Sequence, residues 1–103
     1  MHLSTLRPEI EVVMGPTALV WRGELVPGLP SHIQQLARRR LRVLANIGDP
    51  EELMLVRGVR FRRLERASGE RLYRLELGCG WALRFHWSRA RCSQARIVDL
   101  RGG

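Results

Sequence analysis

The sequence predicts an α+β fold in which an antiparallel sheet packs against two helices from the N-terminal half of the chain. Apolar residues recur at helical spacing between about residues 31 and 55 and alternate with polar residues from Val56 onward. Short Gly- and Ser-containing turns separate the alternating runs, as in hairpin-linked strands. With 103 residues and no repeat or internal linker, the chain is expected to form one domain over residues 1–103.

The N-terminal part predicts an extra β-hairpin over residues 9–22. Apolar and acidic residues alternate over residues 9–14, and residues 18–21 form a second strand-like run. Gly15 and Pro16 between these runs are a turn signal.

Two helices are predicted next, over residues 31–47 and 50–55. Ser31 and Gln34 have the spacing of a capping box at the start of the long helix, and Asp49 is placed to cap the short one. The apolar stripe of the long helix consists of Ile33, Leu36, Ala37, Leu41, Leu44 and Ile47.

Four strands are predicted near residues 57–65, 71–77, 81–87 and 95–100, with a polar loop over 88–93. Strand 81–87 is the most informative. Its core face consists of Trp81, Leu83, Phe85 and Trp87, and its outward face consists of Ala82, Arg84 and His86.

The charge is unusual, because all 18 basic residues are arginine and the net charge is +8. Guanidinium groups bind phosphate in a bidentate way, and a pI near 11.5 is typical of nucleic-acid-binding domains. Arg62, Arg74 and Arg101 share the outward parity of Arg84, so we expect a cationic patch on the open face of the sheet. A single outward arginine is also compatible with an ordinary solvated surface, and the convergence of several favours binding.

Other classes of function have little support in the sequence. Cys79 and Cys92 do not form a Cys-x-x-Cys pair, and the three histidines do not complete a metal spacing, so no metal or cofactor is expected. No apolar run is long enough to cross a membrane, and no signal-peptide pattern is present. We therefore expect a cytoplasmic protein with reduced thiols and no membrane association.

Six short motifs follow one another between Leu29 and Leu100. They are Leu29-Pro30-Ser31-His32-Ile33-Gln34, Arg40-Leu41-Arg42-Val43-Leu44, Asp49-Pro50-Glu51-Glu52-Leu53, Leu72-Tyr73-Arg74-Leu75, Trp81-Ala82-Leu83-Arg84-Phe85-His86-Trp87 and Ile97-Val98-Asp99. In order and spacing this segment resembles the HigB branch of the RelE/ParE toxin superfamily, also called plasmid-maintenance killer proteins.

The resemblance implies a RelE-like fold and a toxin of a type II toxin–antitoxin system. Such a toxin is a metal-independent endoribonuclease that cuts mRNA on the ribosome and is held inactive by a small helix-turn-helix antitoxin. Basic residues bind and polarise the phosphate, and the 2′-hydroxyl of the RNA attacks it.

The sequence departs from the family where the family has its own catalytic residues. Ala82 stands in place of an arginine, Leu100-Arg101 stands in place of a terminal Tyr-His pair, and the basic residue before the glycine turn has no clean match. We expect the following replacements: His86, Arg84 and Arg62 as catalytic residues, and Arg60, Arg66, Arg74 and Arg101 as RNA-binding residues.

The departures leave a second interpretation open. The chain is also compatible with a catalytically degenerate RelE-fold binding protein or with a gyrase inhibitor like those of the ParE branch.

Overall fold

The computed structural model describes residues 10–64, 71–88 and 91–101, and it has the predicted α+β architecture. Its elements, in chain order, are β1 Ile10–Val12, α1 Pro16–Trp21, α2 Ser31–Asn46, a 3₁₀ helix Pro50–Leu55, β2 Phe61–Leu64, β3 Arg71–Gly78, β4 Trp81–Ser88 and β5 Arg91–Asp99. Among these helices, none is long and apolar enough to cross a membrane.

The five strands form one sheet in the order β1-β5-β4-β3-β2. The pairs β2–β3, β3–β4 and β4–β5 are antiparallel, as predicted, but β1 lies parallel to β5. The expectation of a purely antiparallel sheet is therefore wrong at this one edge, where Ile10 pairs with Cys92 across most of the chain.

The predicted N-terminal hairpin is wrong, because its second strand is the helix α1. Pro16 occupies the first turn of this helix, where its fixed φ and missing N–H are favourable. Thr17 and Val20, one helical turn apart, are buried against the sheet, and the Thr17 hydroxyl accepts a hydrogen bond from the backbone N–H of Ile97 at 2.9 Å. Tertiary contacts thus override the strand-like appearance of residues 18–21.

The long helix is confirmed as α2, and it ends one residue before the predicted boundary. The capping box is wrong, because Pro30 is the N-cap residue and no side chain caps the helix. The Gln34 side chain instead binds the preceding loop, donating to the carbonyls of Val26 at 2.8 Å and Leu29 at 2.6 Å and accepting from the Val26 N–H at 3.0 Å. This buried amide holds the loop against α2.

The shorter predicted helix is confirmed in position, but it is a 3₁₀ helix. Asp49 caps it, since its carboxylate accepts a hydrogen bond from the backbone N–H of Glu51 at 3.0 Å. The strand that follows starts at Phe61 rather than at residue 57, because Gly58 has a positive φ and the chain turns there.

The last predicted strand begins earlier than expected, at Arg91, so the predicted loop over residues 88–93 is wrong in its second half. Cys92 is buried opposite Trp87, and Ala95 is the next buried residue of the strand. Buried residues of a regular strand are two positions apart, but Cys92 and Ala95 are three apart. A β-bulge between them adds the extra residue, so the sequence here does not show the alternation typical of a strand.

The hydrophobic core lies between α2 and one face of the sheet. Phe61, Tyr73 and Phe85 form an aromatic stack on three adjacent strands, with ring centroids 5.0 and 5.5 Å apart between neighbours. The Tyr73 hydroxyl donates to the Glu51 carboxylate at 2.9 Å. The opposite face of the sheet carries the polar side chains predicted to lie outward.

Candidate nucleic-acid interface

Four arginines lie side by side across the open face of the sheet. Strand pairing places Arg62 opposite Arg74, Arg74 opposite Arg84, and Arg84 opposite Arg96. Adjacent strands are about 4.8 Å apart, so this arginine row crosses four strands and is about 14 Å long. The row has the opposite parity to Phe85, which faces α2.

The arginine row is electrostatically unfavourable for the protein alone, because like charges directly opposite each other on a sheet repel. Arg62, Arg84 and Arg96 are exposed. Arg74 is half-buried and pairs with Glu76 at 3.8 Å, and its buried Nε has no hydrogen-bond partner among the described residues. Glu76 is the carboxylate that pairs with the arginine row among the described residues, and an anionic ligand would relieve the repulsion between the guanidinium groups.

A β-bulge lies beside the arginine row. On β5, Arg96 pairs with Arg84 but Ser93 pairs with His86, so β5 holds one extra residue at this point. The extra residue is accommodated at Gln94, whose φ of 52° lies in the left-handed region that non-glycine residues rarely adopt. Bulges of this kind redirect side chains and occur often next to active sites.

The bulge borders a shallow pocket of about 130 Å³. Its walls are formed by Arg84, Arg96, His86, Gln94 and Leu72. Two guanidinium groups, one amide and one imidazole thus surround a single small space. These groups can together bind an anion such as a phosphate and move a proton near it.

The structure brings together four of the residues that the sequence indicated. Arg62, Arg74 and Arg84 belong to the arginine row, and His86 lies one outward position further along β4 from Arg84.

Two other indicated residues, Arg101 and Arg60, do not join the row, and a third lies outside the described residues. The Arg101 guanidinium lies 5.0 Å above the Trp81 ring and is bound by Asp99, with 3.0 Å between Nε and Oδ1. Arg60 precedes β2 and lines a different cleft. Arg66 lies outside the described residues.

Two residues of the candidate site were missed in the sequence. Arg96 has an apolar residue on each side, Ala95 and Ile97, and this alternation was a usable signal. Gln94 gave no such signal, because it fell in a predicted loop and owes its position to the bulge.

One position where the chain departs from the resembled family carries no polar side chain. Ala82 is fully buried on the open face, in register with Glu76 and Val98. The described residues contain no cluster of three or more His, Cys, Asp or Glu side chains that could hold a metal ion.

Comparison of the chain with protein-family models, with curated proteins and with solved structures gives no match. Function is therefore inferred from the arginine row, from the pocket beside it and from the motifs of the sequence.

Proposed function

We propose that the protein binds single-stranded RNA along the arginine row and cleaves it at the adjoining pocket, as the toxin of a type II toxin–antitoxin system. The observation that carries this proposal is the in-register alignment of four arginines beside a pocket that contains His86. The resemblance to the HigB branch supports ribosome-bound mRNA as the substrate and a small helix-turn-helix protein as the antitoxin.

Binding through the RNA backbone follows from the composition of the open face. Arg62, Arg84 and Arg96 are exposed and can each form a bidentate contact with a phosphate. The apolar residues described on this face are aliphatic (Leu64, Leu72, Ala82 and Val98), so they offer no Phe, Tyr or Trp ring on which a base could stack. We expect the free protein to bind RNA with strong salt dependence and weak sequence preference.

The proposed cleavage needs three groups around one phosphate. A base takes the proton of the 2′-hydroxyl, whose oxygen attacks the adjacent phosphorus, and the 5′ oxygen leaves with a proton. His86 is the imidazole that lines the pocket, and we assign it the role of the base that takes the 2′-hydroxyl proton and returns it to the departing 5′ oxygen. Arg84 and Arg96 would stabilise the negative charge that develops on the phosphorane oxygens.

The decisive experiment measures mRNA cleavage on ribosomes with wild-type protein and with the His86→Ala and Arg84→Ala variants. We expect each variant to cut at least about 100-fold more slowly and to keep its fold. Arg39→Ala is the matched control, because Arg39 is exposed on α2 and its loss removes the same charge. A wild-type protein that neither cuts ribosome-bound mRNA nor slows growth would overturn the nuclease proposal.

A catalytically degenerate binding protein, or a ParE-like gyrase inhibitor, is the second candidate. The burial of Ala82 and the Leu100-Arg101 end favour it, since these positions lack the side chains of the resembled nucleases. RNA binding that depends on Arg84 without any cleavage would identify the binding protein. Inhibition of DNA supercoiling by purified gyrase would identify the gyrase inhibitor.

A further inference from the structure

A second concave surface lies at one end of the sheet, on the side that α2 covers. This cleft has a volume of about 360 Å³, within the range of ligand-binding sites. Leu36, Leu77, Trp81 and Leu100 supply apolar walls, and Arg40 and Arg60 supply positive charge. The arginine row lies on the opposite face, and Glu76, which lines the cleft and pairs with Arg74, lies between the two sites.

Two hydrogen-bond donors of the cleft residues lack acceptors. The indole Nε1 of Trp81 and the guanidinium Nε of Arg40 are buried, and neither has a hydrogen-bond partner in the described part of the chain. Buried donors in folded proteins are nearly always paired. Both side chains are only partly buried, so a small rotation would let each reach an acceptor placed in the cleft. An oxygen acceptor carried by a ligand of the cleft would give both donors a partner.

One face of the Trp81 ring is covered by Arg101. Asp99 fixes Arg101 through two contacts of 3.0 and 3.2 Å between their side chains. Gly80 permits this arrangement, since any side chain there would collide with that of Arg101.

An exposed apolar segment continues from the cleft. Met54, Leu55 and Val56 are 61%, 87% and 46% exposed, and they lie just before Gly58, which lines the cleft. A run of three exposed apolar residues is unfavourable unless a partner covers it. This apolar lip, Met54–Val56, ends two residues before Gly58, so an occupant that covers both the lip and the cleft is longer than a small molecule.

We propose that the cleft binds a short acidic segment of a partner polypeptide that also carries apolar side chains. Its carboxylates would accept hydrogen bonds from Trp81 Nε1, Arg40 and Arg60, and its apolar side chains would cover the lip Met54–Val56. The charges are complementary, because the chain carries +8 and Glu76, the one acidic side chain among the described residues that line the cleft, is already paired with Arg74. This inference does not depend on RNA cleavage.

Cys79 provides a direct readout of cleft occupancy. It lines the cleft and is exposed, whereas Cys92, the other cysteine of the chain, is fully buried. A thiol reagent at neutral pH therefore modifies Cys79 selectively, and a peptide seated in the cleft should slow that reaction.

The test selects random 12-residue peptides on the wild-type protein and removes those that also bind a variant carrying Trp81→Phe and Arg40→Gln. We expect the remaining peptides to be rich in Asp, Glu and Leu. Each of these peptides should slow the alkylation of Cys79 several-fold. Each should also bind the Trp81→Phe variant and the Leu55→Ser variant at least about fivefold more weakly than wild type. The Arg39→Gln variant is the matched charge control and should bind the peptides as tightly as wild type.

Other results would overturn the proposal. The first is that the selection recovers no peptide whose binding is weakened in the Trp81→Phe, Arg40→Gln variant. The second is that a peptide binds equally well after its Asp and Glu residues are replaced by Asn and Gln. The third is that acetate or an RNA oligomer protects Cys79 from alkylation as well as the peptide does. Circular dichroism of each variant confirms that it is folded before its affinity is compared. RNA binding by Trp81→Phe should remain at the wild-type level, which separates this site from the arginine row.

Discussion

The two faces of the sheet are built from the same strands but differ in burial, charge and the partners of their side chains. On β4, Leu83 and Phe85 are fully buried against the helix-covered face, while Arg84 between them is exposed. The covered face is stabilised by packing, whereas the open face places four like charges next to one another at a cost to stability. Substitutions on the covered face should therefore change folding, and substitutions on the open face should change binding.

The largest change in stability is expected from Phe85→Ala, a substitution on the covered face. Phe85 is fully buried and stacks on Tyr73 with 5.5 Å between ring centroids. Its truncation leaves a cavity in the core and should lower the free energy of unfolding by about 3–5 kcal/mol. Urea denaturation followed by circular dichroism measures this change. A loss similar to that of an exposed residue would show that the covered face is not the stabilising one.

The covered face should also make the protein sensitive to alkali. Burial raises the pKa of the Cys92 thiol from 9.0 to about 12. A thiol with a higher pKa in the folded state holds its proton more tightly when folded, so the stability it contributes is complete below pH 9 and is lost as the pH rises toward 12. The free energy of unfolding should fall by up to about 1.4 kcal/mol per pH unit in this window.

Unfolding of Cys92→Ala across the same pH range is the comparison that isolates this effect. The variant should lose most of the slope between pH 9 and 12, whatever its stability at neutral pH. An unchanged slope would mean that Cys92 is not the group responsible.

A smaller decrease in the free energy of unfolding is expected from Tyr73→Phe, which removes one hydroxyl from the covered face. That hydroxyl donates to the Glu51 carboxylate, so its removal should cost about 1–2 kcal/mol by thermal or urea unfolding. Burial, and then the hydrogen bond to Glu51, raise the pKa of Tyr73, so the difference between variant and wild type should shrink above pH 10. A difference that stays constant to higher pH would contradict the assignment of this hydrogen bond.

The contrast between the faces also explains how much the sequence could predict. In β3 and β4 the alternation of apolar and polar residues is regular, so both strands and the outward position of Arg74 and Arg84 were predicted correctly. The parallel pairing of Ile10 with Cys92 and the helix α1 depend on contacts between distant parts of the chain, which no local pattern reports. The sequence thus predicts a strand and its outward residues best where apolar and polar residues alternate regularly along the whole strand.

The candidate site divides in the same way. The alignment of Arg62, Arg74 and Arg84 follows from strand parity, and the outward parity alone was enough to group them. The pocket requires the bulge at Gln94, which shifts the register of β5 by one residue and places Arg96 and His86 around one space. The hydrophobic pattern of the sequence does not show where a strand contains a single extra residue, so the bulge could not be predicted.

The smallest effect on stability and the sharpest effect on binding are expected from Arg84→Ala. Its free energy of unfolding should stay within about 0.5 kcal/mol of wild type, because the lost side chain is exposed and its removal relieves repulsion with Arg74 and Arg96. If each arginine of the row contacts one phosphate, log Kd against log salt concentration for single-stranded RNA has a slope of magnitude about 3 in wild type. That magnitude should fall by about 0.7 in the variant. Arg39→Ala should leave the slope unchanged, so equal slopes for wild type and both variants would remove the arginine row from RNA binding.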